Sequence, residues 1–412
     1  MGCGTHLATD VHDDEEKVSH HETEHQLWRG VACDACGHVT APRVNATKSQ
    51  IGEKVVNATR GLFYNLNKVW SMVNDRANPI VVSRRPVDEH YELAVVACFF
   101  NPAGSQRRLD NFRKFYEGIE VAGVHCLVVE LVFGSAPFQL GDGLNTIKLR
   151  TDSIMWHKER LLNIGIERLL SEGYKKIVWL DGDITFDNEE WPRLIADKLN
   201  SVNLGQVFST VVICGAENSC PEVGTSCVKY LLEQKHLYKQ SPMNLSGLLQ
   251  GRLRGGQSGF GWAARAEVLK KELLYDKAIV GGGDKLIFAA SLAADRSDNR
   301  FQTLTHSSVV CEKCGHQNQS AAYTRYYLDW AERWAAAVDN KVDYVDQQIR
   351  DMYHGRCEDR KYHERREILY RHQFDPAHDL STDGMGCLAW GSDKRNLHRE
   401  VKSYFLARRE DV

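Results

Sequence analysis

Three largely apolar runs of strand length, with helical spacing between them, constrain the fold of this chain more than any other feature. The runs cover residues 93–100, 126–133 and 176–180, and apolar residues recur at helical spacing over 109–119 and 154–170. Uninterrupted apolar runs of this length are typical of strands that are buried on both faces. The alternation of such strands with helices predicts an α/β fold with a mostly parallel sheet flanked by helices.

Changes in composition divide the chain into four parts. Residues 1–28 are charged, rich in histidine and poor in large apolar side chains, so we expect a disordered tail. Residues 29–88 form a small segment with one Cys-x-x-Cys turn, and residues 89–320 carry the alternating strands and helices. We expect residues 321–412 to be mainly helical. Shorter elements predicted within these parts are a helix at 56–73, a strand at 206–213 and helices at 323–338 and 343–353.

The bulk composition excludes some classes of protein. With 42% hydrophobic and 26% charged residues, the chain has the composition of a soluble globular protein, and its formal net charge of -3 gives no support to a polyanionic partner. No apolar run approaches the roughly 20 residues of a membrane-spanning helix, and the N-terminus has no apolar signal segment. We therefore expect a cytoplasmic protein without a membrane span, whose cysteines are reduced or bind metal.

The strongest local feature is the pair of carboxylates in Asp181-Gly182-Asp183, directly after the apolar run at 176–180. Ligands of open α/β sheets bind at the carboxyl edge of the strands, which is where this pair is expected to lie. Two such close carboxylates repel each other unless a cation neutralises them, and Mg²⁺ or Mn²⁺ together with phosphate oxygens suits such ligands. The alternative is an acidic turn that caps the next helix.

The sequence around this pair resembles the D-x-D motif of glycosyltransferases with the GT-A fold. Three further segments resemble that family, in the order that the fold requires. Residues 156–163 resemble the donor-side helix before the metal-binding strand, and residues 255–265 with 281–284 resemble the glycine-rich acceptor segment and the G-G-E/D motif. His354 resembles a late histidine that often supplies another metal ligand. The resemblance spans residues 92–365, about two thirds of the chain.

The resemblance implies a metal-dependent transferase that moves a sugar from a nucleotide-diphosphate sugar to an acceptor hydroxyl, on a Rossmann-like GT-A domain. It implies Mn²⁺ or Mg²⁺ held by Asp181, Asp183 and His354, with Asp183 as the direct contact. We expect a UDP-sugar ahead of a GDP-sugar as the donor, and a glycan or a modified nucleic-acid base as the acceptor. The residues expected on the donor side are Asn101, Glu130, Arg150, Asp152, Lys158, Asn163 and Arg254, and those on the acceptor side are Gly256, Trp262 and Gly283.

Asp284 is the candidate general base. It follows three glycines that allow a sharp turn, and an acidic residue at the start of the helix predicted at 285–292 is favoured by the helix dipole. If Asp284 deprotonates the acceptor hydroxyl, the displacement is in-line and the anomeric centre inverts. The alternatives are that Asp284 only caps the helix, that His354 is a helix-ending or core histidine, and that Asn101 and Glu130 are a helix cap and a surface carboxylate.

Two Cys-x-x-Cys-Gly-His segments predict a structural zinc site. A turn of this form supplies two thiolates to tetrahedral Zn²⁺, and the glycine relieves strain at the turn. Two turns supply four thiolates, so a shared site would tie the N-terminal segment to the late part of the main domain. The alternatives are free thiols, or two sites completed by His38, His306 or His316. The four cysteines are Cys33, Cys36, Cys311 and Cys314.

Two other functions compete with glycosyl transfer. The cysteine turns also suit a zinc-knuckle protein that binds nucleic acid without catalysis, with the α/β domain as a scaffold. Nucleotidyltransferases also use paired carboxylates with Mg²⁺ on a related sheet, although the glycine-rich stretch before Trp262 and the late His354 favour glycosyl transfer. A P-loop kinase is excluded because the sequence has no G-x-x-x-x-G-K-[ST] motif.

Overall fold

The central sheet of this protein has seven strands within the described residues. The structure, a computed structural model, describes residues 92–215, 221–238, 256–292, 320–356, 364–408 and 410–411. Across the sheet the strands lie in the order β10 (Val342–Tyr344), β6 (Leu204–Gln206), β9 (Gly261–Arg265), β4 (Lys176–Leu180), β1 (Leu93–Phe100), β2 (His125–Phe133) and β3 (Thr146–Thr151). Strands β4, β1, β2 and β3 pair in parallel, whereas β9 is antiparallel to β4 and β6. The predicted α/β fold with a mostly parallel sheet is therefore confirmed.

The two covered faces of this sheet explain why the predicted strands are continuously apolar. Along β1, Val96 belongs to the hydrophobic cluster on one face and Val95 to the cluster on the other. Helix α1 (Gln106–Val121) covers the Val95 face, and helix α2 (Lys158–Ser171) covers the Val96 face. Because both faces are shielded from water, a polar side chain at either position would lose its hydration without gaining a partner.

A second sheet joins the segment after β4 to a segment far along the chain. Its strands lie in the order β5 (Ile184–Phe186), β11 (Gln348–Asp351), β7 (Thr210–Ile213) and β8 (Glu222–Thr225). The antiparallel pairing of β5 with β11 sets Ile184 opposite Asp351. Because Ile184 directly follows Asp183, this register brings the residues around 351 to the carboxyl end of β4.

The remaining elements complete the core. They are α3 (Trp191–Ser201), α4 (Cys227–Tyr238), α5 (Ala266–Leu269), α6 (Gly283–Leu292), α7 (Ala321–Val338), α8 (Glu364–Arg371), α9 (Pro376–Asp379), the strand pair β12 (Leu380–Thr382) and β13 (Leu388–Trp390), and α10 (Arg395–Leu406). Helices α6 and α7 pack against each other, and the Tyr327 hydroxyl donates to the Leu286 carbonyl oxygen at 2.8 Å. This contact fixes α6, whose first turn carries Asp284.

The structure confirms three predicted helices and corrects two predicted elements. The helices at 109–119, 154–170 and 323–338 correspond to α1, α2 and α7, although α2 begins only at Lys158. The strand predicted at 206–213 is two strands, β6 and β7, which belong to different sheets. The helix predicted at 343–353 is wrong, because these residues form β10 and β11 with a bend between them.

Hydrogen bonds to distant strands explain the wrong helix. The Val345 N–H donates to the Gln206 carbonyl oxygen at 2.9 Å, and the Cys214 N–H donates to the Asp351 carbonyl oxygen at 3.0 Å. These bonds extend β6 and β7 at their edges. Local spacing of apolar residues does not include such partners, and tertiary pairing outweighs a weak helical preference.

Several predictions concern residues outside the described ranges and stay predictions. These are the tail at 1–28, the segment 29–88 with its helix at 56–73, Arg254, and the zinc ligands Cys33, Cys36, Cys311 and Cys314. In the part of the chain that the structure describes, no helix combines the length and the apolar character needed to cross a bilayer.

Helix α2 approaches β1 closely because residue 165 is glycine. A Cβ atom at Gly165 would overlap a methyl group of Val96 and lie 3.2 Å from a methyl group of Val129. Both valines are fully buried, so neither moves without disturbing the core. We predict that Gly165→Ala lowers the free energy of unfolding by about 1–3 kcal/mol, the usual effect of overpacking, in urea denaturation.

The matched control for this prediction is Gly118→Ala in α1. An added Cβ atom at Gly118 meets no atom within 4 Å, because this residue lies on the exposed side of the helix. Alanine favours a helix over glycine, so this variant should gain up to about 1 kcal/mol in the same assay. Equal stabilities of the two variants would contradict the close packing of α2 on β1.

Candidate active site

Asp181, the first residue after β4, is fixed to the loop before β9. Its backbone N–H donates to the Phe260 carbonyl oxygen at 2.8 Å, and its Oδ2 accepts a hydrogen bond from the Phe260 N–H at 3.0 Å. Phe260 has a φ of 74°, in the left-handed region that a bulky residue seldom adopts. The two bonds to Asp181 offset this strain and fix the carboxylate at the carboxyl edge of the sheet.

Lys158 connects Asp181 to Asp284. Its Nζ lies 2.5 Å from Oδ1 of Asp181 and 3.1 Å from both carboxylate oxygens of Asp284. Lys158 is the first residue of α2 and is only 7% exposed, while Asp284 lies in the first turn of α6. One ammonium group therefore holds together the end of β4 and the starts of two helices.

The electrostatic environment gives the two aspartates different proton affinities. Burial alone would lower the pKa of Lys158, but the charges of Asp181 and Asp284 raise it well above its usual value. Burial would raise the pKa of Asp181, yet Lys158 and the Phe260 N–H lower it overall. Burial raises the pKa of Asp284, and Lys158 opposes this only in part. At neutral pH, Asp181 is therefore the firm counterion of the lysine, and Asp284 takes up a proton more readily.

A third carboxyl group, that of Glu159, is buried behind this pair. It is 2% exposed, and its Oε1 has no hydrogen-bond partner. Burial raises the pKa of Glu159 to about 8, against the opposing effect of Lys158. A Cβ atom at Gly283 would overlap this carboxyl group, so glycine allows the start of α6 to approach it. Glu159 is therefore mostly protonated at neutral pH.

Asp183, Asp351 and His354 form a separate group, which we call the cation group. One ligand atom from each residue lies within 4.8 Å of the other two. The Nδ1 atom of His354 lies 3.5 Å from Oδ2 of Asp183 and 3.6 Å from Oδ1 of Asp351. Asp351 is 6% exposed, so its carboxylate faces this group with little help from water.

The backbone sets the geometry of the cation group. The Met352 N–H donates to the Asp183 carbonyl oxygen at 2.7 Å, which continues the pairing of β5 with β11. The sequence predicted Asp183 and His354 but missed Asp351. Asp351 lies three residues before His354, a spacing that a search for metal ligands could have found. Asp181, also predicted as a metal residue, is held by Lys158 and Phe260, and its contact with a metal stays a prediction.

The ligand atoms of the cation group suit Mn²⁺ better than Mg²⁺. Two carboxylates and one imidazole form a mixed oxygen and nitrogen set, whereas Mg²⁺ prefers oxygen ligands and keeps most of its water. Asp183 and Asp351 repel each other when both are ionised, and a cation between them would remove this repulsion. The residues therefore fit a divalent transition-metal ion such as Mn²⁺ better than Mg²⁺. To bind it through Nδ1, His354 would give up the hydrogen bond that Nδ1 makes to the Met352 carbonyl oxygen at 2.8 Å.

A small cavity of about 40 Å³ joins the cation group to α1. Its lining includes Asp183, His354, Arg108, Asn111 and Glu410. Arg108 donates to both carboxylate oxygens of Glu410, at 3.1 and 3.0 Å. Burial would raise the pKa of Glu410, but Arg108 and then Arg408 lower it to about 2. An ionised pair therefore forms the wall of the cavity beside α1.

Two predicted donor residues, Asn101 and Glu130, make hydrogen bonds within the fold. The Asn101 Oδ1 accepts from the Ser105 N–H at 2.9 Å and closes the turn that leads into α1. Glu130 is fully buried, so it is not a surface carboxylate. Its Oε1 accepts from the backbone N–H groups of Gln139, at 2.5 Å, and Leu140, at 3.1 Å, while Oε2 has no partner. The donor roles of both residues stay predictions.

Arg150 and Asp152 lie at the end of β3. The Arg150 guanidinium donates to the carbonyl oxygens of Gly134 and Ala136, and its Cζ lies 5.2 Å from the centre of the Phe138 ring. Arg150 therefore holds the loop that follows β2. Asp152 is exposed directly after the strand. Contact of either residue with a donor stays a prediction.

Asn163 and Trp262 are core residues in this structure. Asn163 donates to the Leu274 carbonyl oxygen at 2.9 Å and accepts from the Leu274 N–H at 3.0 Å. Trp262 is fully buried, and its Nε1 donates to the Ser258 carbonyl oxygen at 2.9 Å. The predicted contacts of Asn163 with a donor and of Trp262 with an acceptor stay predictions. Gly256, predicted on the acceptor side, packs on the backbone of the residue that begins α4.

Comparisons with known proteins give only weak structural similarity. No protein-family model and no curated protein matches the sequence. A protein assigned as a nucleotide-diphospho-sugar transferase, from Desulfovibrio desulfuricans, matches 69% of this chain and 98% of its own, with 10% identity and a TM-score of 0.27. Mannose-1-phosphate geranyltransferase from Thermus thermophilus matches 63% of this chain and 74% of its own, with 11% identity and a TM-score of 0.23. A glycosyltransferase involved in the glycosylation of the major capsid of PBCV-1 matches 68% of this chain and 98% of its own, with 10% identity and a TM-score of 0.22. Similarity at this level does not assign the chain to a family.

Glu159→Gln tests the protonation of the buried carboxyl group. Folded Glu159 stays protonated up to about pH 8, whereas the ordinary pKa of a glutamate is 4.5. Between these values the folded state binds one more proton than the unfolded state, so the stability of the wild-type protein falls as pH rises. Glutamine does not titrate. We predict that, as the pH rises from 4 to 7, the free energy of unfolding of the variant increases by at least about 1 kcal/mol relative to that of wild type, measured by urea denaturation.

A stability difference between wild type and Glu159→Gln that stays the same at both pH values would contradict the raised pKa. The control is Glu120→Gln on the exposed side of α1, where the loss of a carboxylate should leave the pH dependence close to that of wild type.

Proposed function

We propose that this protein is a divalent-metal-dependent glycosyltransferase that moves a sugar from a nucleotide-diphosphate sugar to an acceptor hydroxyl. The observation that carries the proposal is the separation of two aspartates at the end of β4. Asp183 belongs to the cation group, whereas Asp181 pairs with Lys158, which also holds Asp284. Asp181, two residues before Asp183, thus links the cation group through Lys158 to Asp284, the candidate for proton transfer. The resemblance of this segment to the D-x-D motif adds support.

The cation group would hold Mn²⁺ in this proposal. The bound ion would neutralise the negative charge that develops on the leaving nucleoside diphosphate. Arg108 lines the same cavity and offers a further positive charge to a phosphate group. A Cβ atom at Gly182 would overlap the Phe112 ring, so glycine keeps the turn between the two aspartates close to α1.

Asp284 is the proposed general base. Its side chain is 22% exposed, so an acceptor hydroxyl can reach it, and burial raises its pKa, which favours proton uptake. A Cβ atom at Gly259 would lie 3.7 Å from Asp181 and 3.9 Å from Asp284, so glycine leaves room beside both carboxylates. Lys158 orients the carboxylate of Asp284 by donating to both of its oxygens.

The proposed reaction is an in-line displacement. The acceptor oxygen forms a bond to the anomeric carbon of the sugar while its proton passes to Asp284. The bond from the anomeric carbon to the phosphate oxygen breaks, and the electron pair leaves with the nucleoside diphosphate. This course inverts the anomeric configuration. A UDP-sugar remains the preferred donor from the sequence resemblance, with a glycan or a modified nucleic-acid base as the acceptor.

We predict that Asp351→Asn weakens Mn²⁺ binding by at least about tenfold. Mutating a residue that only supports a metal ligand typically lowers metal affinity by about 10–100-fold, and losing a ligand should lower it at least as much. Isothermal titration with Mn²⁺ measures the affinity. The matched control is Asp187→Asn. Asp187 follows β5 and pairs with Arg350 on the same strand pair, at 2.7 Å and outside the cation group. Equal losses in the two variants would contradict a metal site at Asp351.

We predict that Asp183→Asn abolishes the Mn²⁺-dependent release of nucleoside diphosphate from UDP-sugars and GDP-sugars.

Asp284→Asn should lower kcat by about 10²–10⁴-fold with little change in Mn²⁺ affinity, because this substitution removes only the proposed general base. Asp197→Asn on the exposed face of α3 is the control and should match wild type. A coupled assay for nucleoside diphosphate measures all four proteins.

The products of the same assay distinguish the competing functions. Release of pyrophosphate in place of nucleoside diphosphate would indicate nucleotidyl transfer. Binding of DNA or RNA that depends on neither the metal nor the sugar, without turnover, would favour the non-enzymatic zinc-knuckle alternative.

A further inference from the structure

Asp411 binds the first turn of α1 through its carboxylate. Its Oδ1 accepts hydrogen bonds from the Ser105 hydroxyl at 2.6 Å and the Arg107 N–H at 2.9 Å, and its Oδ2 accepts one from the Gln106 N–H at 3.3 Å. The N–H groups at the start of a helix have no acceptor within the helix and attract anions. Asp411 satisfies them from a position about 300 residues away in the chain.

Glu410 binds the neighbouring guanidinium group. Both of its carboxylate oxygens accept from Arg108, and Oε1 lies 2.9 Å from Nη2 of Arg408. Glu410 is only 6% exposed, so these ion pairs lie largely out of water. The Cζ atom of Arg108 is 5.2 Å from the centre of the Phe100 ring, which helps to keep the guanidinium in place.

Together these contacts are those that a phosphate group would make. Phosphates bind to helix N-termini and accept paired hydrogen bonds from arginine. Glu410 also lines the cavity that contains Asp183 and His354. Glu410 therefore pairs with the guanidinium group that lines this cavity, and Asp411 occupies the helix start beside it.

We infer that Glu410 and Asp411 are an internal competitor of the donor. They occupy the anion-binding wall, by which we mean the Arg108 guanidinium and the first turn of α1, and a donor phosphate takes their place when it binds. The inference rests on the proposed function for the identity of the displaced ligand. The competition is electrostatic. With a divalent ion on the cation group, a diphosphate carries more negative charge to this wall than one carboxylate, so donor and metal together displace Glu410.

The test is the affinity for manganese pyrophosphate, measured by isothermal titration. The double variant Glu410→Gln, Asp411→Asn keeps the size of both side chains and removes their charge. We expect it to bind pyrophosphate about tenfold more tightly than wild type, because the fraction of protein with a vacant wall rises. The matched control is Glu400→Gln, which removes a carboxylate paired with Arg371 at 2.9 Å on the surface, and it should bind as wild type does.

An unchanged or weaker affinity for pyrophosphate in the folded double variant would overturn the inference that Glu410 and Asp411 compete with the donor. The absence of pyrophosphate binding in every protein would overturn it as well. If the double variant does not fold, Asp411→Asn alone removes the more exposed charge and should still tighten binding.

Donor turnover on the same proteins separates this inference from the proposed function. Turnover of a nucleotide-sugar without a gain in pyrophosphate affinity would reject only the competitor. A gain in pyrophosphate affinity in a protein that turns over no nucleotide-sugar would reject only the glycosyl transfer and keep the anion site beside α1.

Discussion

The buried ammonium group of Lys158 is the interaction on which this site depends. It lies at the start of α2, whose close approach to β1 requires the glycine at position 165. From there it reaches the end of β4 through Asp181 and the start of α6 through Asp284. Without this charge the two carboxylates would repel each other across the loop that contains Gly259. The lysine therefore decides which aspartate of the triplet is left for a cation.

The result is a division of charge along one short turn. Asp181 is neutralised within the protein by Lys158, whereas Asp183 faces Asp351 and His354 in the cation group. Arg108 on α1 lines the same small cavity as this negative group, and its guanidinium is paired with Glu410. Both halves of a metal diphosphate thus have a counterpart at the same edge of the sheet. The protein's own carboxylate, that of Glu410, occupies the positive group that would bind the phosphate.

The pattern of apolar residues was enough to predict the central strands and the helices beside them, because burial on two faces leaves a strong signal in β1 and β4. It was not enough for β10 and β11, which are short and depend on distant partners such as Gln206. For the same reason Asp351 was missed. Asn163 and Trp262 occupy the expected positions in the chain, but packing turns their side chains into the core. Nothing local to Glu410 indicates its contact with Arg108, about 300 residues earlier.

The most direct test of this account is the position of the metal. Crystals grown with Mn²⁺ and UDP, with anomalous diffraction recorded at the manganese edge, would locate it. We predict one peak within coordination distance of Asp183, Asp351 and His354, with Lys158 still bound to Asp181. A manganese ion between Asp181 and Asp183 with Lys158 turned away, or nucleotide bound without any ion at the cation group, would contradict it.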